Sequence, residues 1–253
     1  MTVNRQELEK YLNTFLKADA FRDCCPNGLQ IQGREEISLV VTGVTASLEL
    51  IQAAADLGAD AIMVHHGLFW RGDPQGIRGM LYHRVAPLIR AGISLFAYHL
   101  PLDAHPDLGN NVLLARELGI IQDGWCDDDS PFPMVGLGHL PEEMTLGDLV
   151  SRTDRILDHH SEFIGSPGTP VRTVAWCTGA ASEYLPLAAE RGADVFITGE
   201  APERAVHMSR ELGVSLITAG HHCTETLGIR ALGEHVALQF ATQVRFLNFP
   251  NNF

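Results

Sequence analysis

No CxxC pair, no excess of basic charge and no apolar run near the roughly 20 residues of a membrane span occur in this 253-residue chain. Each absence excludes a class. The five cysteines (Cys24, Cys25, Cys126, Cys177, Cys223) are odd in number and scattered, so neither a disulfide framework nor a zinc ribbon is expected, and free buried thiols are. With 18 basic against 31 acidic residues, a formal net charge of −13, the chain is a poor partner for a nucleic-acid backbone or an anionic membrane. No basic leader followed by an apolar core opens the sequence, and a cytoplasmic protein is expected. The glycine-containing stretch Thr42-Gly-Val-Thr-Ala46 lacks the GxxxxGK[ST] spacing of a phosphate loop, and no Ser/His/Asp or Cys/His nucleophile pattern has useful spacing.

What is present is histidine: twelve of them, with adjacent pairs at His65-His66, His159-His160 and His221-His222. The stretch Ala59–Trp70 reads as a buried strand, Ala61 to Val64, that ends in two imidazoles and breaks at Gly67. Side chains beyond the carboxyl end of a parallel strand face the usual ligand position of α/β proteins. Neighbours on an extended strand point opposite ways, so His65 and His66 converge only if the strand has begun to turn, which Gly67 would permit.

The periodicity predicts an opening helix within residues 3–16 and then a βαβ rhythm. Strands are expected at 37–44, 60–64 and 93–98. Helices are expected from Ser47 to a stop at Gly58, from 77 to 91 before Gly92, and over 110–118. Residues 122–135 read as a linker between two lobes, 1–121 and 122–253, with no third inserted domain. A short strand at 136–140, a helix at 145–157 and a loop at 164–170 follow.

Residues 49–64 recur at 183–198 with a constant offset of 134, which sets Glu200 opposite His66. A looser match of 93–97 with 214–218 sets Gly220 opposite His99. The fold class expected is therefore α/β, two related lobes with mainly parallel sheets and a metal site in the cleft between them.

Three strand ends carry ligand-type side chains: His65-His66, His99-Leu-Pro-Leu-Asp103-Ala-His105, and Gly220-His-His-Cys-Thr-Glu225. His221 and Glu225, four apart, share a face if a helix starts there. Imidazole and carboxylate together suit zinc, iron, manganese or nickel better than calcium or magnesium. A lone histidine is more often structural, but three clusters at equivalent positions reverse that. His159-His160, with no strand before it, reads as solvated surface, and Cys223 as a small buried thiol. His105 and His222 read equally as supports for ligands or as caps. Phe69, Trp70 and Tyr98 could wall a flat substrate, though Tyr98 reads more readily as core. Arg71, Arg78 and Arg230 could hold phosphate or simply face solvent.

On Pro26-Asn-Gly-Leu-Gln30, Thr42-Gly-Val-Thr-Ala46, Val64-His-His-Gly67, His99 to His105, Ile197-Thr-Gly-Glu200 and Gly220 to Glu225, the chain resembles the Nif-three-like family of dinuclear metal proteins. The match is to its short bacterial members, known as GTP cyclohydrolase I type 2 homologues. The resemblance implies His65, His66, Asp103, His221 and Glu225 as metal ligands for two divalent ions (zinc, iron or manganese), with His99 a proton-transfer group beside them. It also implies a toroidal homohexamer and a small-molecule substrate, nucleotides among the candidates. A metal-dependent hydrolase is the leading function; a metal- or cofactor-handling protein without turnover is the alternative.

Overall fold

The computed structural model describes residues 2–251, and the chain separates into two compact units. The first comprises residues up to His105 together with Gly228–Phe249. Its elements are the two-residue strand β1 (Val3–Asn4), α1 (Arg5–Phe15), β2 (Gly28–Ile31), β3 (Glu36–Ile37), β4 (Leu39–Thr45), α2 (Leu48–Asp56), β5 (Ala61–His66), α3 (Gly79–Ala91), β6 (Ser94–Ala97) and α4 (Leu100–Asp103). Later in the chain, α10 (Thr226–Phe240) and β13 (Gln243–Phe246) complete it. The five-stranded sheet runs β13-β4-β5-β6-β2, parallel except for its β2 edge, while β1 pairs with β3 alone.

Alternation along β5 fixes two cores. Ala61 and Met63 pack with Leu8 and Leu12 of α1 and Ile229, Leu232 and Val236 of α10 on one face. Ile62 and Val64 pack with Leu50 and Ile51 of α2 and Val85 and Leu88 of α3 on the other. A strand covered on both faces reads as a continuous apolar run, as this one does. Local caps set the helix ends: Asn4 accepts from the Gln6 amide, Ser47 from the Leu50 amide, and Gly92 closes α3 at φ +66°.

The second unit, Pro106–Leu227, contains α5 (Asn110–Leu118), β7 (Ile121–Trp125), β8 (Gly136–Thr145), α6 (Leu146–Leu157), β9 (Glu162–Ile164), β10 (Pro170–Cys177), α7 (Leu185–Glu190), β11 (Val195–Thr198), α8 (Arg204–Leu212), β12 (Ser215–Thr218) and α9 (His221–Thr224). Its six-stranded sheet, β7-β8-β10-β11-β12-β9, is parallel only at β10-β11-β12. The expectation of mainly parallel sheets thus describes the first unit, and the second is mixed.

Two boundaries depart from the expected division at 121/122. The segment expected as a linker holds β7, paired antiparallel with β8, and ends in the buried Cys126 and Val135. The last strand, β13, pairs not with its sequence neighbours but with β4, so residues 228–249 belong to the first unit. In addition, β9 occupies the start of the expected loop at 164–170.

The internal recurrence has a physical counterpart. The Asp60 carboxylate accepts from the amides of Ser38 and Leu39 (2.9 and 3.2 Å). Asp194, 134 residues later, accepts from those of Arg172 and Thr173 (2.9 and 2.8 Å). In both units this aspartate stands just before a parallel strand and pins the strand that precedes it in the chain.

Burial raises the Asp60 pKa, but hydrogen bonds from Ser38, Arg34 and Leu39 outweigh it and hold the carboxyl below its usual range. A depressed native pKa adds stability that is present above the unfolded value of about 3.9 and is lost as pH falls through the native one. Asp60→Ala should therefore cost about 1–3 kcal/mol in urea denaturation at neutral pH. The gap to the wild-type chain should close in acid; a gap that stays constant down to the acid limb would show that the carboxylate's charge is not what pins the strand.

Candidate metal centre

The first unit presents a histidine cluster where β5 and β6 end. His65 is fully buried, and its Nδ1 lies 2.9 Å from the Tyr98 carbonyl, to which it donates, leaving Nε2 as the lone-pair atom. His66 is tied to the strand on the other side, with Nδ1 3.3 Å from Thr45 Oγ1. Both residues remain within β5, yet their rings lie 4.6 Å apart. Gly67 serves a different end from the turn expected of it. A Cβ there would collide with the Gln30 side chain, whose Oε1 accepts from the Leu68 amide at 2.8 Å.

His99 joins them. Its ring stands 5.0 Å from that of His65 and 5.6 Å from that of His66, and one nitrogen from each of the three lies within 4.8 Å of the others. Asp103, buried at the end of α4, brings Oδ2 to 3.6 Å from His65 Nε2. His99 Nδ1 donates to Asp23 Oδ1 at 2.8 Å, which makes Nε2 the basic nitrogen. Asp23 is a residue the sequence did not single out, because it sits on a loop just before Pro26-Asn-Gly.

Asp23, Cys24 and His99 also cluster as metal donors would, but the Asp23 carboxylate is saturated. Its Oδ1 accepts from the Cys24 amide and His99, and its Oδ2 from Asn27 Nδ2 and the Leu100 amide. Burial opposes ionisation of Asp23, and these bonds outweigh it and hold the carboxyl well below its usual range. It is an anchor for His99 rather than a free ligand.

The second unit contributes His221 at the start of α9 and Glu225 at its end, four residues apart as the sequence predicts. His221 Nε2 lies 3.3 Å from Glu225 Oε1, and its Nδ1 lies 3.2 Å from Glu200 Oε2. Burial lowers the His221 pKa, but the two carboxylates outweigh it and raise it to about 9. As a metal ligand His221 would bind through a deprotonated nitrogen and keep the Glu200 bond on Nδ1. Glu200, which the recurrence set opposite His66, is thus the residue that orients His221.

The donor set fits divalent ions. Imidazoles oriented through one nitrogen by a carbonyl, a hydroxyl or a carboxylate stand together with the buried carboxylates Asp103 and Glu225, a mixture of nitrogen and oxygen donors.

The remaining candidates divide. Tyr98 is core, fully buried with its hydroxyl on Asn13. Cys223 is a buried thiol whose pKa burial pushes up. His105 packs its ring 4.5 Å from Phe15, and His222 is buried. Arg71 bonds the Asp23 carbonyl, Arg230 lies over the Phe246 ring, and Arg78 lines a cavity. His160 is exposed as expected, but His159 is not free surface. It is half-buried, close against Gly220, and lines a cavity of about 470 Å³ with Glu200.

Two α/β units carry histidine and carboxylate clusters at strand ends that could hold metal ions. The Duf34/NIF3 (NGG1p interacting factor 3) family model matches residues 3–252, and the chain belongs to that family. It is 44% identical over 251 residues to the GTP cyclohydrolase 1 type 2 homolog of Vibrio cholerae, covering 98% of this chain and 99% of the relative. The Pseudomonas aeruginosa protein of the same name is 42% identical, with 99% of each chain covered. Among solved structures, the structural-genomics protein ybgI superposes with a TM-score of 0.95 at 42% identity, covering 99% of this chain and 100% of that one. A protein from Thermus thermophilus superposes at 0.88 and 35%, with the same coverage.

Gly179 tests the second cluster. It adopts φ +68°, and a Cβ there would collide with Glu225 Oε1 and approach His221 Nε2 to 3.3 Å. Gly179→Ala should cost about 1 kcal/mol in stability from the backbone alone. It should also lower metal per chain, read by elemental analysis, while the circular dichroism spectrum is retained; full metal content would show that Glu225 is not confined by this contact.

Proposed function

We propose that the chain is a dinuclear metal-dependent hydrolase. In this reading His65, His66, Asp103, His221 and Glu225 would hold the ions, and Glu225 would be the carboxylate they share. The observation that carries this reading is the packing of His65, His66 and His99 at one strand edge, His65 and His99 each with Nδ1 committed to an oxygen acceptor. Bound there, two divalent ions would supply Lewis acidity to activate water and polarise the substrate.

The residues of the chain do the rest. Asp23 holds the His99 ring in the tautomer that leaves Nε2 basic, so His99 takes a proton from the attacking water and returns it to the departing group at that atom. The buried carboxylates Asp103 and Glu225 would balance the positive charge of bound ions where an uncompensated charge would be costly.

The relatives' name, GTP cyclohydrolase 1 type 2 homolog, makes GTP the first substrate to try, with attack at C8 of the guanine ring. The assembly that goes with this reading is a toroidal homohexamer, checked by light scattering, and the location is the cytoplasm.

Elemental analysis of the purified protein should give about two ions per chain, and GTP turnover should appear when zinc, iron or manganese is restored after chelation. Two ions without turnover would move the function to metal handling or another substrate, and less than one ion after reconstitution would remove the site. Glu225→Gln should lower occupancy at both positions, whereas His160→Ala should leave it unchanged. Two full ions in Glu225→Gln would end the role of that carboxylate as a shared ligand.

A further inference from the structure

A cavity of about 480 Å³ lies between the segment after β5 and the first turns of α3, within the first unit. Its volume falls in the range of small-molecule sites. Leu68, Leu81 and Met80 give it an apolar surface, and Trp70 belongs both to it and to the histidine cluster. The indole stands edge-on to His99, with ring centroids 5.2 Å apart at 82°, and 5.8 Å from His66. A ligand lying along Trp70 therefore has one end beside the histidines.

The cavity is also locally basic in an acidic chain. Arg78 and Arg84 line it, against a single carboxylate, Asp73, whose Oδ2 is taken by the Trp70 amide at 3.2 Å. Arg84 is half-buried, and its Nε is shielded from solvent with no hydrogen-bond partner among the described residues. A buried donor without an acceptor is costly, and a guanidinium fork matches the oxygens of a phosphate two at a time.

We propose that this cavity binds a flat heteroaromatic phosphate, its ring along Trp70 and its phosphate on Arg84 with Arg78 at the mouth. This deepens the hydrolase reading, on which it rests only for what happens at the histidine end; the binding itself is independent of turnover.

The test is calorimetric titration of the purified, metal-loaded full chain with GMP, with guanosine and with inorganic phosphate, metal per chain being measured on every sample. GMP should bind saturably and at least about tenfold more tightly than either of the other two. Arg84→Gln should weaken GMP about tenfold while leaving guanosine binding and metal content unchanged, and Arg84→Lys should recover part of the loss. Trp70→Leu should weaken GMP and guanosine alike. The thermal midpoint of each variant shows whether it is folded, and the lysine variant keeps the test open if the glutamine variant is not.

Wild-type affinity for GMP in both Arg84→Gln and Trp70→Leu would overturn the proposal, as would no saturable GMP binding at millimolar concentration. Inorganic phosphate bound as tightly as GMP would overturn the role of the ring. Absence of GTP turnover with GMP binding intact would remove GTP as the substrate and leave this proposal standing.

Discussion

Parallel pairing of β4, β5 and β6 obliges all three strands to finish at one edge of the sheet, and the chemistry of the first unit depends on that constraint. Thr45, His66, His65 and Tyr98 come from three successive strand ends, and the bonds between them are possible because the strands run the same way. An antiparallel partner for β5 would have brought a strand start to this edge instead. The burial of β5 on both faces then matters a second time. The packing of Ile62, Met63 and Val64 leaves the strand no freedom to slide, so the imidazoles are held by a rigid element rather than by a loop.

The polar groups at these edges are held by a network of acceptors rather than by exposure. His65 uses a main-chain carbonyl, His66 a hydroxyl, His99 the Asp23 carboxylate and His221 that of Glu200. In each case the partner sits at Nδ1; the carbonyl and the carboxylates accept a proton there, while the Thr45 hydroxyl can serve in either direction. Asp23 itself is fixed by two main-chain amides and Asn27, so the orientation of His99 traces back to the Pro26-Asn-Gly turn that follows it.

Much of this was legible in the sequence because local signals carried it. Ala61 to Val64, Ser47 and Gly92 mark strand, cap and stop through their own chemistry, and the histidines at the strand ends follow from the strands. What was not legible is non-local or weakly patterned. Residues 121–125 alternate poorly because β7 is a half-exposed edge strand, and no local signal says that β13 pairs with β4. Asp23 and Glu200 act through partners 76 and 21 residues away, beyond the reach of spacing. The recurrence at offset 134 was readable, but its cause, an aspartate bonded to amides at the strand that precedes it in the chain, shows only in three dimensions.

The return of the chain at β13 to the sheet it left at residue 105 also orders events during synthesis. All strands of the second unit lie within Pro106–Leu227, so they have left the ribosome while β4 still lacks a neighbour on its outer side. The first unit waits, its α1 face uncovered by α10, until residues 228–249 arrive. The half that is translated first is therefore the half that is finished last.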